Sequence, residues 1–567
     1  MVVMNGRRWW DPKGMLFWQI VMTICAWGVI VALHLDNDGL WFQGDAPRHA
    51  ANGVFWSDFL GRFPASPRDF AFSYYASYPV VNPAAYPPVF YLLEAMAYRV
   101  FGVSAFVAKG LVLATVLLGS LYLVVWLRRW VAEEAGWAGS LFVLQPAIIG
   151  WGNVIMLNVP SMVLGVAALY HWRRWLEAPA SGQLYAAAAL ATLAALTYLL
   201  AAVVPVVMLA WCVWGRRWDV FRQRRLWIVA GAAAIPIGVW VLMTMRWDPH
   251  WAPGPLTGPF TGPFTGPSIG PSPAAWGFYV RHLPGWFVTV PVIVLAAVGL
   301  GLGLVGRASR REVAFLSLWI ALAYVWFTAI SLKVNGGISL DDIRYTMLLV
   351  PPIVLLAAIG VENGLRLVVG AREGRAQWPR LMPWVAVLAL HVWLAAAVSV
   401  PRVAGFREIV RFVGEIAPSE RVFYDGAYDG VFSFNALAAG TGFRRGVVLG
   451  RKLLYATKRL PSFGMIEIAS SPGSVRESLR FRCGCRILVV ERQIEPRLKR
   501  SAAAANLREV VAREPARLIR SFRVEAGSVT DVDVYEWRSV ESVPSTIDLP
   551  FPPLGNNGRV QLKPLEY

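Results

Sequence analysis

The feature that most limits what this 567-residue chain can fold into is a run of apolar blocks separated by polar gaps. The blocks cover residues 14–35, 104–127, 136–156, 158–172, 183–198, 199–214, 226–245, 285–306, 313–331, 345–362 and 381–400. A helix needs about 20 residues to cross roughly 30 Å of hydrocarbon, so the pattern predicts a mainly α, polytopic membrane protein with about eleven transmembrane helices. Several blocks are shorter than that, and tilted or paired helices are expected there. The first block is too long for a signal-peptide core and lacks a small-residue cleavage site, so it reads as a retained anchor. Composition agrees with this class. The chain is 56% hydrophobic and 16% charged, where soluble domains run near 45–50% and about 25%.

A formal net charge of +19 would suit a nucleic-acid partner if it formed one basic face. Instead the basic residues fall in short clusters between blocks: Arg7, Arg8 and Lys13; Arg128 and Arg129; Arg173 and Arg174; Arg216, Arg217, Arg222, Arg224 and Arg225; Arg307, Arg310 and Arg311; Arg366, Arg372, Arg375 and Arg380. Every second gap is basic, which is the pattern of cytoplasmic loops. No nucleic acid is expected, and the N-terminus is assigned to the cytoplasm. Residues 1–400 then form the membrane domain. Residues 401–567 form a soluble domain outside the cytoplasm, where helical stretches (406–417, 474–482, 497–513) alternate with β-like runs (421–424, 446–449, 486–490, 532–537), as in a small α/β domain. No phosphate-cradling glycine loop or nucleophile elbow occurs in it. Four cysteines are too few for a disulfide-built fold. A bridge between Cys483 and Cys485 would close a very short, strained loop, so two thiols are expected there.

Three gaps on the external side stand out. The second, 246–284, holds the Gly/Pro-rich repeat 254–267, which suits a flexible loop. The first, 36–104, carries Asp45, Arg48 and His49 around Pro47. Proline favours the first helical position, so Asp45 should stand just before a helix start, where a cap and a catalytic acid are both consistent readings. Ala51, Phe55, Phe59 and Phe63 follow at fourfold spacing, a stripe suited to lying on the membrane surface, and Asp58 is on the same helix. The loop closes with Tyr86-Pro87-Pro88 and an amphipathic stretch to Gly102, also placed at the interface. The third gap, 333–344, holds Lys333, Asp341, Asp342 and Arg344, with Tyr345 next. Charged groups at membrane depth are costly and tend to be functional or paired. Arg344 can equally snorkel or pair with Asp341 or Asp342.

An Asp-x-x-Arg after the first span, a Tyr-Pro-Pro aromatic helix ending in Phe-Gly, and an Arg-Tyr opening a late span occur here in that order. Together they resemble the GT-C glycosyltransferases, and within them the bacterial protein mannosyltransferase and lipid A aminoarabinose transferase group. The resemblance covers most of residues 1–400. It implies a multi-pass protein of the bacterial inner membrane, a sugar donor on a polyprenyl phosphate, and an extracytoplasmic glycan, lipid or protein acceptor. By position, Asp45 matches the family's first-loop aspartate and Arg48 the arginine after it, while Arg344 and Tyr345 match its Arg-Tyr pair. Tyr86 stands where relatives carry Lys or His, and His49 where tyrosine is frequent. Ala46 and Asn158 stand where acids are common. The implied mechanism is inverting transfer. Asp45 is the general base, and Arg48, Arg344, Lys333 and His49 serve the donor phosphate. Tyr86, Asn158, Tyr345 and Asp58 line the substrate pocket. Two missing carboxylates weaken the case for a bound metal, because hard cations want several oxygen ligands. No cofactor is therefore expected, with a divalent metal kept as the alternative. A lipid-linked-sugar transporter and a non-catalytic glycolipid-binding scaffold are the rival functions. No internal repeat of the transporter kind is evident.

Overall fold

The structure is a computed structural model, which describes residues 14–36, 38–39, 45–83, 86–247, 272–306, 309–335, 340–369, 378–400, 402–418, 420–440, 446–458, 464–493, 501–513, 515–526, 528–538, 544–550 and 559–563. The repeat at 254–267 lies outside them. The first ten α-helices named here are α1 (Met15–His34), α2 (Asp45–Arg62), α3 (Pro67–Ser77), α4 (Val89–Phe101), α5 (Ala105–Trp130), α6 (Ala138–Val143), α7 (Pro146–Gly152), α8 (Asn158–Glu177), α9 (Ser181–Thr197) and α10 (Val203–Trp214). Later helices are given by their residues. Among the described residues, five helical segments are long and apolar enough to cross a membrane: Met15–His34, Ala105–Trp130, Arg224–Met245, Arg310–Ser331 and Arg344–Val368. The same residues include four shorter apolar helices, Ser181–Thr197, Leu199–Trp214, Val290–Val305 and Leu381–Ala396.

The block 136–156 is not one helix. A 3-10 turn (Glu134–Trp137) leads into α6, and the chain breaks before Pro146 opens α7. Proline has no N–H for the ladder and clashes with the preceding turn. The Gln145 side chain repairs the break, donating to the Leu141 carbonyl (2.8 Å) and accepting from the Thr289 N–H (3.1 Å). Broken backbone is tolerated among apolar helices when such partners satisfy it. Elsewhere the helices meet closely. Gly299 on Val290–Val305 and Gly360 on Val350–Val369 face each other so tightly that a Cβ on either would run into the Leu356 or Leu295 carbonyl oxygen. Arg173, counted above in a basic cluster of the cytoplasmic kind, is buried. It pairs with Glu312 at 2.5 Å and lies over the Trp130 ring, while Trp126 donates to the same carboxylate.

The C-terminal domain starts beyond the Trp378–Ala396 helix. Its strands include β1 (Val403–Ala404), β2 (Val422–Asp425), β3 (Val447–Leu449), β4 (Tyr455–Lys458), β5 (Gly464–Glu467), β6 (Ile487–Glu491), β7 (Ala516–Ala526) and β8 (Ser528–Trp537), and Ile547–Pro550 and Arg559–Leu562 form a separate pair. Six of them form one sheet in the order β1-β7-β8-β6-β2-β3, with β2 parallel to both β3 and β6 and the β6, β7 and β8 pairings antiparallel. β2 and β6 are buried along their whole length, as strands covered on both faces must be. Strand alternation splits their side chains between two cores. Phe423, Leu488 and Val490 pack with Leu507, Val511 and Trp537 on one face. Val422, Tyr424, Ile487 and Val489 pack with helices Phe406–Ile416 and Asp429–Ala438 on the other.

That second core also contains Ala50, Ala51, Val54, Phe55, Phe70 and Tyr74 of α2 and α3. The aromatic stripe expected on the membrane surface is instead mostly covered. Ala51 and Phe55 are buried against α3 and the C-terminal domain, and only Phe63, at the helix end, is 80% exposed. The second amphipathic helix, α4, packs along α2, with Gly53 seated against Glu94 and Tyr98. The cysteine expectation is also corrected. Cys483 and Cys485 are joined by a disulfide, with Cα atoms 5.1 Å apart. Gly484 between them has φ 60°, the left-handed conformation that folds the chain back at no steric cost.

Candidate functional site

α2 starts at Asp45, two residues earlier than Pro47 alone suggests. Asp45, Arg48 and His49 stand at i, i+3 and i+4, so they share one helix face. Arg344 reaches this face from the 3-10 helix Leu340–Leu349, ahead of Val350–Val369. Its Nη2 is 3.0 Å from Asp45 Oδ2 and 3.2 Å from the Tyr345 hydroxyl, to which it donates, and its guanidinium lies 5.1 Å over the Tyr345 ring. This contact spans 299 positions of sequence by subtraction of 45 from 344.

Burial works to raise the Asp45 pKa, but the neighbouring Arg344 and Arg48 charges more than offset it and hold the carboxyl below its ordinary range. His49 is driven the other way from a cation. Burial, aided by Arg344 and Arg48, takes its pKa from 6.5 to about 4 against the pull of Asp45. The shift favours the neutral ring at pH 7. His49 Nδ1 and the Tyr91 hydroxyl are 2.6 Å apart, and Tyr86 meets the ring edge-on at 4.9 Å. Tyr86 leads to Tyr198 (6.2 Å between centroids), which stacks on Tyr345 at 6.3 Å. Burial raises the Tyr86 pKa, so it stays a phenol.

Asn158 opens α8 and lines a cavity together with Ser161, Tyr198, Phe327, Arg344 and Tyr345. The cavity thus joins an amide, a hydroxyl, aromatic faces and one guanidinium. Asp58 is not part of this group. Thirteen residues beyond Asp45 on α2, it lies roughly 20 Å further along the helix and accepts from the Tyr74 hydroxyl at 2.9 Å. The side chain of Lys333 lies outside the described residues, as do those of Asp341 and Asp342.

The sequence reading missed three contributions. Tyr91 and Tyr198 are two of them. The third comes from the C-terminal domain: Asp429, almost fully buried, takes Arg48 at 3.4 Å and also pairs with Arg451. Next to it Gly430 packs on α2 so closely that a Cβ would sit 2.9 Å from Pro47 Cγ. A signal for this existed in the doubled Tyr-Asp-Gly of residues 424–430.

Two guanidiniums flank Asp45, and each keeps a buried Nε–H with no hydrogen-bond partner among the described residues, on Arg48 and on Arg344. A buried unmet donor is costly, so the one on Arg344, which lines the cavity, suits an anionic ligand. Among the described residues no three His, Cys, Asp or Glu side chains come together as a metal site would require.

The sequence matches no protein-family model and no curated protein. Solved structures do match. The crystal structure of ArnT from Cupriavidus metallidurans bound to undecaprenyl phosphate superposes with a TM-score of 0.58 over 91% of this chain and 97% of that one, at 14% identity. Its apo form gives 0.57 with the same coverage. The archaeal oligosaccharyltransferase AglB from Archaeoglobus fulgidus, in complex with an inhibitory peptide and a dolichol-phosphate, gives 0.54 over 85% and 70%, at 12% identity.

Proposed function

For a chain built on the fold of the GT-C glycosyltransferases, we propose a membrane glycosyltransferase that moves a sugar from a polyprenyl-phosphate donor to an extracytoplasmic acceptor. The observation that carries this reading is the Asp45–Arg344 pair at 3.0 Å, bordered by Arg48 and by two unmet guanidinium donors. The bound lipids of ArnT and AglB, undecaprenyl phosphate and dolichol-phosphate, are both polyprenyl phosphates and support the donor class. In this reading the N-terminus is cytoplasmic, and the site and the C-terminal domain face outward across the inner membrane of a bacterium.

The acceptor hydroxyl attacks the anomeric carbon from the face opposite the phosphate. The new acceptor-oxygen bond forms as the bond from that carbon to the phosphate oxygen breaks, so configuration inverts. The acceptor proton passes to Asp45, and the electron pair leaves with the polyprenyl phosphate. Arg344 and Arg48 meet the negative charge that grows on the departing phosphate, where preorganised donors contribute most. The ion pair also sets the timing. A carboxylate held by Arg344 is a poor base, since a general base works best with its pKa near the operating pH. A lipid phosphate competing for Arg344 loosens that hold, and Asp45 becomes more basic once the donor is bound.

The test uses purified protein with a labelled sugar on a polyprenyl phosphate, following release of the lipid phosphate and transfer of the label. Transfer that disappears in Asp45→Asn supports the enzyme. Movement of intact donor across proteoliposomes without bond cleavage would favour a transporter, and binding without either would favour a scaffold.

A further inference from the structure

We infer that Asp429, in the C-terminal domain, is a positioning residue that holds Arg48 ready for the donor phosphate. The inference rests on the lipid-phosphate reading of the site. Asp429 is 2% exposed at the start of helix Asp429–Ala438, so its charge has almost no water to stabilise it. Its stabilisation comes from two guanidiniums delivered by separate elements. Oδ1 faces Arg48 Nη2 of α2 at 3.4 Å, and Oδ2 pairs with Arg451 from the short helix Gly450–Leu453. The helix carrying Asp429 is pressed onto α2 through Gly430, which allows the carboxylate to reach across the domain boundary.

The arrangement divides the local charges into two sets. Asp45 has Arg344, and Asp429 has Arg48 and Arg451. Asp429 engages the Nη end of Arg48 and leaves its Nε–H without a partner among the described residues. Without that hold, the nearest carboxylate on the same helix face is Asp45, one turn back at i−3. A planar guanidinium pairs with a carboxylate through two parallel N–H bonds, and such a pairing would consume the edge that now stands free. Arg48 would then neutralise the base instead of meeting the phosphate. Asp429 prevents this collapse without touching the reacting atoms.

The experiment measures undecaprenyl phosphate binding to the full-length purified protein, in a double-mutant cycle between Asp429 and Arg48. Asp429→Asn should bind the lipid about tenfold more weakly, the size expected for coupled charged neighbours. The same change in an Arg48→Ala background should cost nothing further, and Asp429→Glu should recover part of the loss. Equal losses in both backgrounds would show that Asp429 only seats the domain, and would overturn the assignment. Unchanged binding in Asp429→Asn would overturn it as well, leaving the lipid-phosphate reading intact. Absence of binding by the unaltered protein would refute that reading and the assignment with it.

Discussion

Replacing Glu491 by Gln should remove a pH dependence built into the C-terminal domain. Glu491, at the end of β6, is 2% exposed and accepts from the Tyr424 hydroxyl and from the Ala427 and Tyr428 N–H groups, each of the latter at 3.0 Å. Burial raises its pKa, with a smaller contribution from Asp425, and the three hydrogen bonds only partly counter it, so the carboxyl titrates at about 7 instead of 4.5. The unfolded chain gives up this proton near 4.5, while the folded domain keeps it up to about 7. Stability is therefore greatest below the lower value, falls as pH rises between the two, and levels off above the upper one. At 1.36 kcal/mol for each pH unit, the fall is about 3 kcal/mol. The domain sequence 401–567 contains no histidine, so no ordinary imidazole titration overlaps this window. Hydrogen exchange of the 424–430 segment, corrected for intrinsic rates, should show protection dropping about a hundredfold from pH 4.5 to 8. In Glu491→Gln the corrected protection should stay level. An equal slope in the variant, or none in the parent, would refute the reasoning.

Four further outcomes are expected. Asp45→Asn should lower transfer by about 10²- to 10⁴-fold, the usual contribution of a positioned base, while undecaprenyl phosphate binding persists; activity would be followed by label transfer. Arg344→Lys keeps the charge but loses the planar guanidinium whose Nη2 meets both Asp45 and the Tyr345 hydroxyl, and donor affinity should fall about tenfold, read by titration with the lipid phosphate. Gly430→Val places a branched side chain against Pro47, and overpacking of this kind should cost about 1–3 kcal/mol in thermal unfolding. Glu312→Ala strands Arg173 without its buried partner, and should cost about 3–5 kcal/mol of stability in detergent.

The apolar blocks were legible because the bilayer imposes length and hydropathy together, and helices α1, α5, α8 and α9 begin within two residues of the blocks read from sequence. Pro146 shows the limit of that signal, since a span broken by proline and repaired by Gln145 keeps the same hydropathy as an unbroken one. Strands β2, β3, β6 and β8 were legible as short apolar runs, but the longest strand, β7, and the helix Asp429–Ala438 were not. That helix is apolar on nearly every face because it is covered by both the sheet and α2, so it has no amphipathic period to read. The same burial hid the stripe on α2, whose spacing fits a lipid surface and a protein surface equally well. In the site, Asp45, Arg48 and His49 could be grouped from helical spacing alone. Arg344 depended on resemblance, and Asp429 has no local cue except its doubled tripeptide, because pairs so distant in sequence form only when the tertiary fold closes.

A core shared between α2, α3 and strands beyond residue 403 imposes an order on biogenesis. The segment after the first membrane helix is synthesised early, yet the residues that cover Phe55, Phe70 and Tyr74 are translated more than 300 positions later, by subtraction of 74 from 403. Until the last third of the polypeptide has emerged, these aromatic side chains have no permanent cover, and Arg48 has no Asp429 to hold it. Closure of this shared core is thus among the final events of assembly, and a chain truncated before residue 401 would carry Asp45 and Arg344 without the cover and the Asp429 contact that the C-terminal domain brings.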